Sequence, residues 1–266
     1  MKSASKLDAT LLGLDLAWVS RNRTGAVALH PHDQGYRAAE PITLGDDRSI
    51  LDWATGESAV SILTVLAIDA PLFAPNPPGT SRQADKRTTQ LYGWAHAGVD
   101  PANYKIAARP MALAAQLEAR NWYLCPYALR TELTTARHER RDPRGLFALE
   151  VYPHAACVGL FGLQRIISYK KGRVAVRRSG LMRLQDLLRE RLPALSPPIQ
   201  PFAHTDIDAL RGRALKAFED RLDALLCATM AAVFVQTPER CETAGADTAE
   251  EVRCGYIVVP NVPTRM

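Results

Sequence analysis

Short apolar runs bounded by turn residues recur along the chain, and this pattern predicts the strands of a buried sheet. An antiparallel meander comes first, and a helical crossover then leads to a further strand. This order indicates a mixed β-sheet flanked by helices, which is an α/β fold. The predicted elements of this half are strands at 11–17, 25–30 and 36–44, a hairpin turn at 21–25, a helix at 48–58 and a strand that ends near Asp69.

The chain from 73 to 144 is the least regular part, and we interpret it as a helical insertion on the sheet. No flexible linker bounds this stretch, so residues 1–266 are predicted to form one domain. A third apolar run follows at 145–153. The other predicted elements are helices at 82–94, 111–122, 154–163, 179–191 (with Ser179 as its N-cap) and 206–236 (with one break), and a strand at 255–259.

Carboxylates interrupt the three apolar runs. Asp15, Asp69 and Glu150 each lie within or at the end of a predicted buried strand. An ionised carboxylate in such a place costs on the order of several kcal/mol unless a cation pairs with it. Matching carboxylates in matching contexts therefore suggest that a cation, most simply a metal ion, lies between them.

An acidic helix start supplies further candidate ligands. Asp220 and Asp223 are three residues apart, so they project from one face of the predicted helix. Asp223 is the favoured ligand because it adjoins the buried stretch 224–226. Together with the strand carboxylates, these acids form a set of oxygen ligands of the kind that Mg²⁺ or Mn²⁺ prefers.

Each of these acids also has an interpretation without a metal ion. Asp15 could cap a turn at a strand end, and Glu150 could be an exposed edge residue or the partner of an arginine. The helix acids Asp220 and Asp223 could compensate the helix dipole. Asp69 precedes a turn at the carboxyl end of its strand, which is where ligands gather in open α/β sheets.

Basic residues follow two of the candidate ligands. Arg82 comes after the loop that leaves Asp69, and Lys170 and Lys171 lie in a basic loop between site-bearing elements. A charged, solvated surface is the ordinary interpretation of such residues. The functional alternative is that Arg82 and Lys170 position phosphate groups of a substrate. His154 is predicted to cap a helix, with a catalytic part as the alternative.

Composition narrows the class of protein without identifying a partner. With 47% hydrophobic residues and 23% charged residues, the chain is typical of a globular protein. Its net charge of +5 fits an anionic partner but does not require one. The five scattered cysteines show no zinc or disulfide spacing, which favours reduced thiols and a cytoplasmic location. We expect no signal peptide in residues 1–10 and no membrane association.

Several motifs together resemble a known family. They are "LLGLDLAW", "AIDAPL", "GTSRQADKR", "EVYPHA", "YKKGR", "RRSGLMRL" and "DRLDALLCA". In this order they are similar to the domain-of-unknown-function family numbered 429, described as predicted nucleases of the RNase H-like (RuvC-like) superfamily. The resemblance implies that Asp15, Asp69, Glu150 and an Asp of "DRLDA" form an acidic cluster. It also implies that Arg82, Asp85 and Lys170 belong to the signature.

We therefore expect a metal-dependent nuclease in which Mg²⁺ or Mn²⁺ is the cofactor and DNA or RNA the substrate. Asp15, Asp69, Glu150 and Asp223 or Asp220 would be the ligands in a two-metal site. One alternative is an ATP-dependent phosphotransferase of the actin and sugar-kinase type, against which the lack of a second Gly-rich loop argues. Another is a non-catalytic RNase H-like scaffold that binds nucleic acid. The sequence leaves the oligomeric state open.

Overall fold

The computed structural model describes residues 8–19 and 22–262, and within them a mixed eight-stranded sheet forms the centre of the molecule. Its strands pair in the order β6-β7-β5-β1-β2-β3-β8, and β4 pairs with β2. A separate hairpin, β9–β10, joins the end of β7 through a bridge between Val151 and Val258. The strands are β1 (Ala9–Asp15), β2 (Thr24–His32), β3 (Gly35–Ala38), β4 (Ile42–Leu44), β5 (Leu63–Ile68), β6 (Trp122–Tyr123), β7 (Gly145–Glu150), β8 (Ile199–Gln200), β9 (Cys241–Ala244) and β10 (Ile257–Pro260).

Helices surround this sheet and carry most of the chain between the strands. The helices are α1 (Asp47–Ser58), α2 (Gln83–Tyr92), α3 (Ala108–Glu118), α4 (Pro126–Glu139), α5 (Pro153–Phe161), α6 (Val174–Arg191) and α7 (Gly212–Gln236). In the part of the chain described here, none of them combines the length and the apolar character needed to cross a membrane. All five cysteines are free thiols.

The predicted mixed α/β architecture is confirmed, with some differences in its elements. The stretch predicted as one strand at 36–44 forms β3 and β4, which both pair with β2. Ser179 is not an N-cap: α6 begins at Val174 with Arg173 as its N-cap, and Ser179 lies inside the helix. The predicted hairpin turn at 21–25 begins at Arg21, which lies outside the described residues.

The carboxyl ends of three neighbouring parallel strands meet at one edge of the sheet. Asp15 ends β1, Glu150 ends β7, and Asp69 directly follows β5 between them. The register aligns Ile68 with Leu14 on one side and with Glu150 on the other. The backbone N–H of Asp69 donates to the carbonyl of Leu14 at 2.8 Å, which extends this alignment by one residue. The predicted strand carboxylates therefore lie along a single edge.

Helix α7 lies directly on the backbone of β1 and β2. A Cβ atom at Gly13 would stand 1.9 Å from the carbonyl oxygen of Ala224, and one at Gly25 would stand 2.4 Å from that of Asp220. No side chain fits at either position, so the two glycines allow the helix to approach the strands. This approach brings the acidic part of α7 to the strand edge that carries Asp15, which pairs with Gly25 across the β1–β2 ladder.

We predict that Gly13→Ala lowers the free energy of unfolding by about 3 kcal/mol or more, because the added methyl group meets backbone atoms that cannot move aside. Urea denaturation monitored by circular dichroism measures the change. Gly56→Ala is the matched control: Gly56 lies in α1 with nothing within 4 Å of its Cβ position, so this substitution should be neutral or stabilising. Equal stability of the two variants would contradict the close approach of α7.

Candidate active site

A large cleft opens at the carboxyl edge of the sheet. Its volume is about 1390 Å³, and it lies beside the ends of β1, β5 and β7 and the start of α7. Three of the four predicted aspartates, Asp15, Asp69 and Asp220, line it, and the fourth, Asp223, reaches the same cluster through Lys170. We call these four aspartates the acid pocket. The structure thus brings together all of the aspartates that the sequence proposed as ligands.

Asp15 and Asp220 form a carboxyl pair within the acid pocket. Burial raises the pKa of Asp15 well above its ordinary value, Lys170 opposes this, and the charges of Asp223, Asp69 and Asp220 add to it. Burial also raises the pKa of Asp220, although an interaction with the Asp15 carboxyl acts to lower it. Two clustered carboxyls that cannot both ionise share a proton. Burial and the neighbouring negative charges therefore favour the protonated form at Asp15 and at Asp220.

Lys170 extends into the acid pocket from the loop between α5 and α6. Its Nζ atom lies 2.9 Å from Oδ2 of Asp223 and 3.8 Å from Oδ2 of Asp69. Burial opposes its charge, but the surrounding aspartates raise the pKa of Lys170 well above its ordinary value, so the side chain is an ammonium. The preceding residue, Tyr169, donates a hydrogen bond of 2.5 Å to Oδ1 of Asp223. Asp223 is itself fully buried, and these two residues hold it in place.

A second ammonium comes from α7 itself. Nζ of Lys216 lies 2.6 Å from Oδ1 of Asp220, four residues along the helix, and 2.6 Å from Oε1 of Glu219. Among the described residues of the acid pocket, four carboxyl groups therefore face two lysines, one of which also serves Glu219. The pocket contains more acid than the lysines neutralise, and this excess is one reason why the pKa of Asp15 is raised.

Glu150 is placed beside the acid pocket but is already paired. Its Oε1 and Oε2 accept hydrogen bonds from Nη2 and Nη1 of Arg82 at 2.7 and 3.0 Å, and Oε2 also accepts from the N–H of Leu72 at 2.8 Å. Burial raises the pKa of Glu150 to about 7, against the lowering effect of Arg82. Glu150 is thus the partner of an arginine, which is one of the alternatives that the sequence allows. Its side chain closes one side of the cleft.

Arg82 has no N–H group left for a substrate in this arrangement. Besides the two bonds to Glu150, it donates from Nε and Nη2 to Oδ1 of Asp85 at 3.1 and 2.7 Å, and from Nη1 to the carbonyl of Phe73 at 3.0 Å. The side chains of Arg82, Asp85 and Glu150 are almost completely buried. The expected phosphate contact by Arg82 therefore finds no support here, and Arg82 instead joins β7, the loop after β5 and the start of α2.

The acid pocket is suited to a cation but does not form a ready-made cage. Within residues 8–19 and 22–262, no group of three His, Cys, Asp or Glu side chains converges on one point that would hold a metal ion. The ammonium of Lys170 lies between Asp69 and Asp223 instead. Two features fit a bound divalent ion: the raised pKa of Asp15 and of Asp220, which shows that their charges lack full compensation, and the buried Oδ2 of Asp223, which has only the ammonium of Lys170 beside it among the described residues. The oxygen donors are those that Mg²⁺ or Mn²⁺ takes.

The structure adds residues that the sequence did not identify. Lys216 and Tyr169 hold Asp220 and Asp223, and the cationic side chains of Arg23, Arg213 and Arg221 line the cleft outside the acid pocket. The sequence does indicate the contact of Lys216 with Asp220, since a Lys four residues before an Asp lies on the same face of a helix. The contact of Tyr169 with Asp223 joins residues 54 positions apart and has no such local signal.

We predict that Asp69→Asn makes the protein more stable at pH 7.5 and leaves its stability at pH 4 unchanged. Burial raises the pKa of Asp69 to about 6, whereas the carboxyl of an unfolded chain titrates near about 4. The folded state therefore holds this proton more tightly, and ionisation of Asp69 lowers stability as the pH rises from about 4 to about 6. Removing the charge should contribute on the order of 1–2 kcal/mol at pH 7.5.

Thermal unfolding of both proteins across this pH range measures the effect. If Asp69→Asn were instead less stable at pH 7.5, the ion pair between Asp69 and Lys170 would outweigh the burial of the charge.

Comparison with known proteins places the chain in a family. The family model described as "Protein of unknown function (DUF429)" matches residues 13–250, which include every member of the acid pocket as well as Arg82, Glu150 and Lys170. A search of curated proteins and a search of solved structures gave no match. Because the match covers most of the chain, this protein belongs to the DUF429 family.

Proposed function

We propose that this protein is a metal-dependent nuclease, which hydrolyses phosphodiester bonds of nucleic acid. The observation that carries the proposal is the acid pocket: four aspartates at the carboxyl edge of the sheet, in a cleft of about 1390 Å³, with too few lysines to neutralise them. Buried carboxylates in excess serve no purpose in a scaffold, since each one costs stability unless a cation joins it. The resemblance to RNase H-like nucleases supports the same conclusion.

Asp15, Asp69, Asp220 and Asp223 would hold Mg²⁺ or Mn²⁺ in this proposal. The chemistry that such an ion supplies is the activation of water and the stabilisation of charge on the phosphoryl oxygens. Glu150 lies beside these ligands with both oxygens engaged by Arg82, so it would keep the floor of the cleft in position. This arrangement differs from the set expected from the sequence, in which Glu150 was itself a ligand.

The other residues of the pocket orient the aspartates. Tyr169 donates to Oδ1 of Asp223 and leaves Oδ2 facing Lys170, and Lys216 contacts Oδ1 of Asp220. A cation held by Asp15 and Asp220 would favour their ionised forms, because an opposite charge nearby lowers the pKa of a carboxyl group. Lys170, which contacts Asp69 and Asp223 in this structure, would have to withdraw from them to admit the ion. Once withdrawn, its ammonium would stand beside the acid pocket as a partner for a substrate phosphate.

The cleft outside the acid pocket is basic, which suits a polyanion. Arg23, Lys171 and Arg213 line it and are exposed, and Arg221 lines it in a half-buried position. Arginine and lysine at such positions contact backbone phosphates and carry no base sequence information. The net charge of +5 agrees with an anionic partner. A nucleic-acid strand is thus the substrate class that matches both parts of the cleft.

A panel of labelled substrates tests the proposal. Single-stranded, duplex, hybrid and branched DNA and RNA are incubated with the protein and Mn²⁺, and Asp15→Asn is the matched control. We expect cleavage of at least one substrate by the wild-type protein, and a loss of about a hundredfold or more in Asp15→Asn because a ligand is missing. No cleavage of any substrate, together with no binding of Mn²⁺ by calorimetry, would reject the proposal.

We predict that Lys170→Met strengthens the binding of Mn²⁺ by roughly tenfold, because its ammonium no longer competes with the ion for Asp69 and Asp223. Isothermal titration calorimetry measures the affinity. Lys171→Met is the control, since Lys171 is exposed and its ion pair is with Asp100, at 3.9 Å, outside the acid pocket. Weaker binding of Mn²⁺ in Lys170→Met would mean that the lysine stays in place beside the ion.

We predict that Arg213→Ala weakens the binding of nucleic acid about equally for all sequences. Loss of one phosphate contact should also reduce the slope of log K against log salt by roughly one. Fluorescence anisotropy at several salt concentrations measures both quantities. Arg48→Ala is the control, because Arg48 is an exposed arginine that pairs with Asp52 in α1 and does not line the cleft. An unchanged slope in Arg213→Ala would make Arg213 an ordinary surface charge.

A further inference from the structure

His154 lies in the wall of the same cleft, at the start of α5, and has no part in the chemistry described so far. Its Nδ1 atom is 3.2 Å from the hydroxyl of Tyr152. Its ring meets the ring of Tyr169 edge to face, with centroids 5.4 Å apart and an angle of 90° between the planes. Since Tyr169 donates to Asp223, only one aromatic ring separates His154 from the acid pocket.

The hydrogen bonds around Tyr152 determine the tautomer of His154. The hydroxyl of Tyr152 donates its single proton to the carbonyl of Gly98 at 3.0 Å, because a carbonyl oxygen can only accept. The same hydroxyl oxygen must then accept from Nδ1 of His154. The proton of the neutral imidazole is therefore on Nδ1, and Nε2 carries a lone pair.

The surroundings of His154 keep Nε2 free of a proton. Burial lowers the pKa of His154 to about 4, and the positive charge of Lys170 contributes to this. Nε2 is buried and has no hydrogen-bond partner in the described part of the chain. A buried acceptor without a donor is unfavourable and rare in folded proteins, so this atom requires an explanation.

We propose that Nε2 of His154 accepts a hydrogen bond from an uncharged O–H or N–H group of the substrate. This inference rests on the proposed function and adds a second contact, beside the acid pocket, to a neutral part of the nucleic acid. A phosphate does not fit, because at neutral pH it has no proton to donate and its charge repels the lone pair. The donors in a nucleic acid are the ribose 2′-hydroxyl and the N–H groups of the bases.

The neighbourhood of His154 allows a substrate group to enter. The side chain of His154 lines the cleft and is only half-buried, so its ring can be reached from the cleft. Lys171 and Asp100, whose charges also act on the imidazole, are both more than nine-tenths exposed. The donor would then occupy a position next to the phosphate at the acid pocket, on the far side of the Tyr169 ring.

A pair of variants separates the two nitrogen atoms of His154. His154→Asn keeps a donor near the position of Nδ1, where it can bond to Tyr152, and removes the acceptor at the position of Nε2. His154→Gln places an amide group near the position of Nε2 and retains an acceptor there. Melting temperatures establish that both variants fold. The binding of RNA, of DNA of the same sequence and of 2′-O-methyl RNA is then measured by anisotropy in Ca²⁺.

We expect His154→Asn to bind its substrate roughly three- to tenfold more weakly than the wild-type protein does, and His154→Gln to recover most of this loss. A loss for RNA alone identifies the 2′-hydroxyl as the donor, whereas an equal loss for RNA and DNA identifies a base N–H. Wild-type affinity in His154→Asn, or equal losses in both variants, would overturn the inference and leave the proposed function standing. If the wild-type protein binds none of these nucleic acids, the proposed function fails as well.

Discussion

The contact of α7 with the backbones of β1 and β2 is the constraint on which the rest of the molecule depends. Gly13 and Gly25 leave no room for a side chain between helix and strands, so the helix backbone rests directly on the strands. This fixed position holds Asp220 and Asp223 against the carboxyl edge of the sheet, where Asp15 and Asp69 already lie. The acids of the pocket are therefore brought together by packing, in spite of their mutual repulsion.

That repulsion explains the chemistry of the surrounding residues. Lys170 and Lys216 supply positive charge, and Tyr169 supplies a hydrogen bond to Asp223. The charge that Lys170 supplies is one that a divalent cation could supply instead. The proposed metal site is therefore a set of carboxylates whose charge the lysines of the protein partly balance in this structure.

The sequence was informative where a single local pattern carried the signal. Carboxylates inside apolar runs predicted that Asp15, Asp69 and Glu150 would lie close together, and the structure places them along one edge of the sheet. The spacing of Asp220 and Asp223 predicted a common helix face. The pairing of Arg82 with Glu150 joins residues 68 positions apart, and no local pattern distinguishes it from a phosphate contact. The same holds for Lys170, whose basic loop looks solvated in the sequence although its amine enters the acid pocket. Helix α4 was missed even though Leu129, Leu133 and Ala136 show helical spacing.

All five N–H groups of the Arg82 guanidinium are hydrogen-bonded, and this makes one wall of the cleft more rigid than another. On its side, one buried side chain joins the end of β7, the loop after β5 and the start of α2 through five hydrogen bonds, so these segments behave as one rigid piece. The opposite wall is the connection between α5 and α6, where Ser168, Lys171 and Arg173 are exposed and only Tyr169 and Lys170 reach the acids. This connection carries both of the side chains that contact Asp223 from outside α7, Tyr169 and Lys170. If the connection moved outward, it would therefore widen the cleft and uncover the acids in one motion.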